Sequence, residues 1–143
     1  MRTFATILLA TIFMVIALLH VYWVLGGKWG LNAAIPEVMK NNMMTDSKRL
    51  GFKVATLLVA IGLFMVAYLF LIYTELVSSP VPSIYISYST CAIAGIFLLR
   101  AIGDFKYVGF FKSIKQGDFA NKDSKYFSPL CLIIFILTMI VIF

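Results

Sequence analysis

The stretch VATLLVAIGLFMVAYLFLIY, running from Val54 to Tyr73, decides the fold. It is 20 residues long and uncharged, with Lys53 before it and Glu75 just beyond. As a helix rising about 1.5 Å per residue it spans roughly 30 Å, the thickness of a bilayer's hydrocarbon core. Three further apolar runs lie around it. Phe4 to Leu25 holds 22 residues with His20 as its one readily ionisable group. Ile84 to Leu99 can be lengthened by Val81-Pro82-Ser83, because proline is tolerated in the first turn of a helix. Leu130 to Phe143 follows Ser128-Pro129, where serine as N-cap and proline at the first helical position mark a start. From Pro129 that last helix reaches only about 22 Å. Either Tyr126 and Phe127 extend it, with a kink at Pro129, or the bilayer thins there.

Composition agrees. The chain has 143 residues, 62% of them hydrophobic and 13% charged, with a mean hydropathy of +1.00. A soluble domain is about half apolar and about a quarter charged, because its surface must meet water. The first run is longer than the roughly 7–15 apolar residues of a signal peptide, and no small-x-small cleavage site follows it, so it is expected to remain as a span. The two cysteines, Cys91 and Cys131, lie in separate apolar runs with no C-x-x-C pair and no zinc spacing, so no metal site is expected.

The net charge of +6 is segregated. Loop 1 (Gly26 to Lys53) carries Lys28, Lys40, Lys48, Arg49 and Lys53, and loop 3 (Arg100 to Lys125) carries Arg100, Lys106, Lys112, Lys115, Lys122 and Lys125. Loop 2 (Thr74 to Ser83) and the C-terminus have no basic residue, and the N-terminus has only Arg2. With four spans, loops 1 and 3 share a side, so the count is eleven against one. The positive-inside rule puts both loops in the cytoplasm and both termini outside. Tyr22, Trp23, Trp29, Tyr107 and Tyr126 border the same side, where such rings favour the headgroup boundary. No basic face exists apart from these loops, so membrane lipid rather than nucleic acid is the expected partner.

Each candidate residue has a functional and a structural reading. His20, inside a span, is a proton shuttle or ligand group, or else a neutral imidazole bonded to a neighbouring helix. Arg100 grips a phosphate or carboxylate with its fork of donors, or snorkels to the interface. Asp104 follows it at i+4 and pairs with it if the helix continues. Gly103 to Lys112 interleaves aromatics, lysines and glycines without one apolar helical face. It is expected to lie folded at the membrane surface, lysines toward lipid phosphates, or to act as a lid or pocket wall. Asp118 and Asp123 read as an acid/base pair or, more simply, as solvated loop charges or a helix cap. Glu37, after Pro36, reads as a helix-start residue. The stretch Ser87 to Cys91, with Gly95 beyond it, reads as a helix-packing face. Phosphate-loop, nucleophile-elbow, zinc-protease and dinucleotide motifs are all missing from the sequence, and no cofactor is implied.

Several elements carry a family resemblance. They are His20-x-Tyr22-Trp23 with Gly26-Gly27, Trp29-Gly30, Ile35-Pro36, Arg100-Ala101-Ile102-Gly103-Asp104-Phe105 and Tyr107-Val108-Gly109-Phe110-Phe111-Lys112. Phe119-Ala120-x-x-Asp123-x-x-Tyr126-x-Ser128-Pro129-Leu130-Cys131 completes the set. On these, the chain resembles a family of small bacterial membrane proteins catalogued only as a domain of unknown function. The resemblance covers nearly the whole chain. It implies a four-span fold and a bacterial origin, and brings no activity or site residue with it.

The expectation is therefore an all-α transmembrane four-helix bundle, one integral membrane domain over residues 1–143 with spans at about 4–25, 54–73, 82–99 and 129–143. Its expected place is the bacterial cytoplasmic membrane. The leading functional expectation is a binding module. His20, Tyr22, Trp23, Arg100, Asp104, Tyr107 and Asp123 would gather at the cytoplasmic boundary around an amphipathic or lipid-like ligand, with Arg100 on its anionic part. The alternatives are a membrane-embedded acid/base enzyme using His20 with Asp104 or Asp123, and a structural or regulatory subunit bound to a partner protein or a second copy.

Overall fold

The structure, a computed structural model, describes residues 1–35, 46–73, 77–78 and 80–143. Among these, all regular structure is helical. The elements are α1 (Arg2–Val24), the short α2 (Leu31–Ala34), α3 (Asp46–Tyr73), α4 (Ser83–Ile102), the short α5 (Asp118–Lys122), a π-helical turn (Asp123–Phe127) and α6 (Ser128–Ile142). Pro36, Glu37, Lys40 and Glu75 lie outside the described residues.

Four segments are long and apolar enough to cross a membrane: Arg2–Val24, Ser47–Tyr73, Ser83–Ile102 and Asp118–Ile142. Only 22–33% of each apolar stretch is buried inside the bundle. Many of the remaining apolar side chains are exposed, an arrangement that hydrocarbon favours and water does not. The fold is an all-α bundle of four candidate spans.

The fourth span resolves the problem of its length. It begins at Asp118, not at Pro129, and runs on through the π turn into α6. At about 1.5 Å per residue its 25 residues reach roughly 37 Å. Pro129 has no N–H to return to the preceding turn. The backbone ahead of it widens, and Ser128 N–H donates five residues back to Asp123 O. Extension beyond Tyr126 and Phe127 is thus what occurs, with a π turn in place of a short helix.

In the bundle α1 packs against α3 and α6, and α4 packs chiefly against α6 while barely touching α3. The α1 face Ala5, Leu9, Ala10 and Phe13 clusters with Ala67 and Phe70 of α3, and small residues let the backbones approach closely. Phe13 stacks on Phe70 (centroids 5.7 Å apart) and meets Phe97 of α4 edge-on at 5.2 Å. Hydroxyls within the spans bond their own helix four residues back, as Thr6, Thr90 and Thr138 do. The expected packing face on α4 is only partly realised. Thr90 is buried, whereas Cys91 is exposed and a Cβ at Gly95 would meet nothing within 4 Å. Arg2 donates to the Phe143 carbonyl, so both ends of the chain meet at the end of the bundle opposite loops 1 and 3.

Candidate functional site

At the loop end of the bundle, α4 stops at Ile102 because Gly103 turns the chain with φ of 97°. The chain then folds back onto the helix it has just left. Phe110 N–H donates to Ala101 O (2.9 Å) and Phe111 N–H to Ile102 O (3.3 Å), which satisfies carbonyls that a helix end leaves without partners. This return requires two glycines. A Cβ at Gly103 would lie 1.8 Å from Val108 O, and one at Gly109, where φ is 90°, would lie 2.3 Å from Ile102 O.

Asp104 ties the hairpin together. One carboxylate oxygen accepts N–H bonds from Lys106 (2.9 Å), Tyr107 (2.7 Å) and Val108 (2.9 Å). Slight burial pushes its carboxyl upward, but the three backbone donors outweigh it and hold the group below the usual carboxylate range. The expected pairing of Arg100 with Asp104 does not form, because the helix breaks at Gly103 before the i+4 position is reached.

Arg100 pairs with Asp123 instead. Of the readings of Asp123 as an acid/base group, a solvated loop charge or a helix cap, the solvated one does not hold, because its side chain is 0% exposed. Its Oδ1 accepts from Arg100 Nη2 at 2.8 Å. Its Oδ2 accepts from Gly109 N (2.9 Å), Lys112 Nζ (2.9 Å) and Ser128 Oγ (3.0 Å). Lys112 was expected to face lipid phosphates, but its side chain is 1% exposed. Its ammonium also donates to Gly109 O (3.2 Å) and Ser124 Oγ (2.6 Å), which uses all three of its protons. One carboxylate thereby joins α4, the returning loop, the π turn and α6.

The charges do not cancel. Two cations share one carboxylate, leaving a formal +1. Lys112 is saturated and enclosed, so the free bonding capacity belongs to Arg100. Its side chain is 33% exposed, while its Nη1, itself buried, has no hydrogen-bond partner among the described residues. The exposed part of such an arginine can meet an anionic oxygen with a charged N–H donor.

His20 and Trp23 form a separate group. His20 Nδ1 lies 2.8 Å from Ile16 O, so that nitrogen carries the proton and Nε2 is left as an acceptor in the neutral ring. The imidazole rests against Trp23 at 4.9 Å between centroids, and Trp23 Nε1 donates to Trp29 O at 2.9 Å. Tyr22 is exposed. Tyr107 lies in the loop, its ring 5.2 Å from the Lys106 ammonium. Among the described residues no hydrogen bond, ion pair or ring contact joins His20 to Arg100, Asp104 or Asp123. The two groups occupy the same end of the bundle, where α2 packs against α5. No three His, Cys, Asp or Glu side chains converge as metal ligands among the described residues.

Gly109, Lys112, Ser124 and Ser128 belong to the cluster and were not picked out by their residue type. Their signal was present: a lysine three residues after a glycine, and a serine five after an aspartate at the head of an apolar run.

These features define a class, a multi-pass helical membrane protein with a buried ionic cluster at one end. The chain belongs to the family described as Protein of unknown function (DUF3995), which matches residues 13–138 and so takes in His20 and the whole cluster. No curated protein and no solved structure gives a significant match.

Proposed function

We propose that this is a binding protein of the bacterial cytoplasmic membrane that holds the anionic head of an amphipathic, lipid-like ligand against Arg100. In this reading both termini are outside and loops 1 and 3 are cytoplasmic, as the distribution of lysine and arginine supports. The observation that carries it is the +1 cluster with the partly exposed side chain of Arg100 at the end of a candidate span. At that depth an anionic head would meet Arg100 while its chain stayed in hydrocarbon. The acid/base alternative loses support from the same geometry. Asp104 is committed to three backbone donors and Asp123 to four donors, so neither is free to take a proton from a substrate.

The test is a titration of the purified protein in zwitterionic nanodiscs with a short-chain phosphatidic acid, comparing wild type with Arg100→Gln. The variant leaves Asp123 paired with Lys112, so the cluster becomes neutral without stranding a charge. A charge-assisted hydrogen bond contributes about 1.5–3 kcal/mol, so affinity should fall by roughly 10- to 100-fold. Equal binding by the two proteins would refute the role of Arg100.

A further inference from the structure

The loop between Gly103 and Lys115 presents an apolar ridge that no element among the described residues covers. Phe105 is 64% exposed and Phe111 66%, with Phe110 and Ile114 also exposed. A mobile loop could fold such side chains away from water, but this one is held by its backbone. Ser113 N–H and Oγ both donate to Phe105 O (3.1 and 2.7 Å), and Ile114 N–H donates to Lys106 O (3.0 Å). Gly109 is tied to the buried Asp123. Phe105 itself takes a left-handed backbone, φ of 60°, which is uncommon for an aromatic residue. A strained backbone that projects an exposed ring has no rationale in water.

The depth of the ridge follows from its hydrogen bonds. The backbone N–H groups of Phe110 and Phe111 bond Ala101 and Ile102, the last residues of a candidate span, so the ridge stands at that span's end, where a spanning helix would leave hydrocarbon for headgroups. Exposed Lys106 and Lys115 lie on the same loop.

From this geometry we infer that the loop is a rigid interfacial wedge. Phe105 and Phe111 enter the acyl boundary of the adjacent leaflet, and Lys106 and Lys115 engage the phosphates of anionic lipids there. The partner is the lipid surface itself. The inference is independent of ligand binding at Arg100, since it rests on side chains outside the buried cluster.

Nitroxide labels test it in the intact protein. In a Cys91→Ser background, where the remaining Cys131 is buried, Phe105→Cys, Phe111→Cys and Lys115→Cys are labelled separately in nanodiscs containing anionic lipid. Oxygen concentrates in hydrocarbon, and a nickel chelate stays in water. Labels at positions 105 and 111 should shift toward oxygen and away from nickel relative to position 115. Equal nickel accessibility at all three overturns the wedge. Both phenylalanines are exposed, so two independent positions report even if one variant folds poorly. Replacing Lys106 and Lys115 by glutamine should lower the enrichment of anionic lipid around the protein by about fivefold per lysine. Unchanged enrichment overturns the assignment of anionic lipid as the partner.

Discussion

Replacing Asp123 by asparagine changes almost no volume and removes one charge, which makes it an informative perturbation of the cluster. The side chain is fully buried, and its two oxygens accept from Arg100 on one side and from Gly109, Lys112 and Ser128 on the other. An amide offers one oxygen and one NH2 group. Whichever way it turns, a donor faces a donor, and Lys112, with 1% of its side chain exposed, loses the one counter-charge it has among the described residues. Breaking a buried pair in this way costs about 3–5 kcal/mol. The ion pair of Asp118 with Lys122 supplies the contrast. It spans 3.6 Å between exposed side chains, so Asp118→Asn should cost under about 1 kcal/mol. Unfolding free energies in bicelles, measured by steric trapping, compare the two variants directly. An Asp123→Asn protein within about 1 kcal/mol of wild type would refute the reasoning, since the cluster would then not be holding the loop and α6 together.

Other consequences are accessible with simpler measurements. Gly103→Ala and Gly109→Ala place a Cβ inside contact distance of Val108 O and Ile102 O, and each should lower stability by roughly 1–3 kcal/mol, whereas Gly95→Ala, with open space around it, should leave thermal unfolding unchanged. Because the folded-state pKa of Asp104 is depressed, its contribution is fully present above the ordinary carboxylate pKa and is lost as pH falls through the lower folded value. Amide exchange at Lys106, Tyr107 and Val108 should accordingly accelerate only in acid, and in Asp104→Asn it should be fast at neutral pH as well.

The spans were legible because their signal is local: twenty uncharged residues such as Val54 to Tyr73 need no partner to be recognised. The fourth was misplaced at its start because Ser128-Pro129 matches a helix beginning, and a π turn that carries a helix across proline leaves no pattern in hydropathy. Arg100 and Asp123 were both singled out, but their relation was not. The i+4 rule joined Arg100 to Asp104, and the glycine between them, which ends the helix, decided otherwise. Asp123 looked solvated because lysines surround it in sequence. It is buried because the chain folds back over it, through contacts 11, 14 and 23 residues apart. Such non-local pairing is what a single sequence hides. His20 was expected beside Arg100 on grounds of shared depth alone, and depth does not specify which faces of the bundle meet.

Native mass spectrometry of the protein released from its own membrane bears most directly on the proposed anion site. Wild type should retain a stoichiometric anionic amphiphile, and Arg100→Gln, folded and otherwise intact, should release it. Wild-type protein that emerges bare, or both proteins carrying the same lipid in the same amount, would contradict the assignment of Arg100 as the anion-binding group.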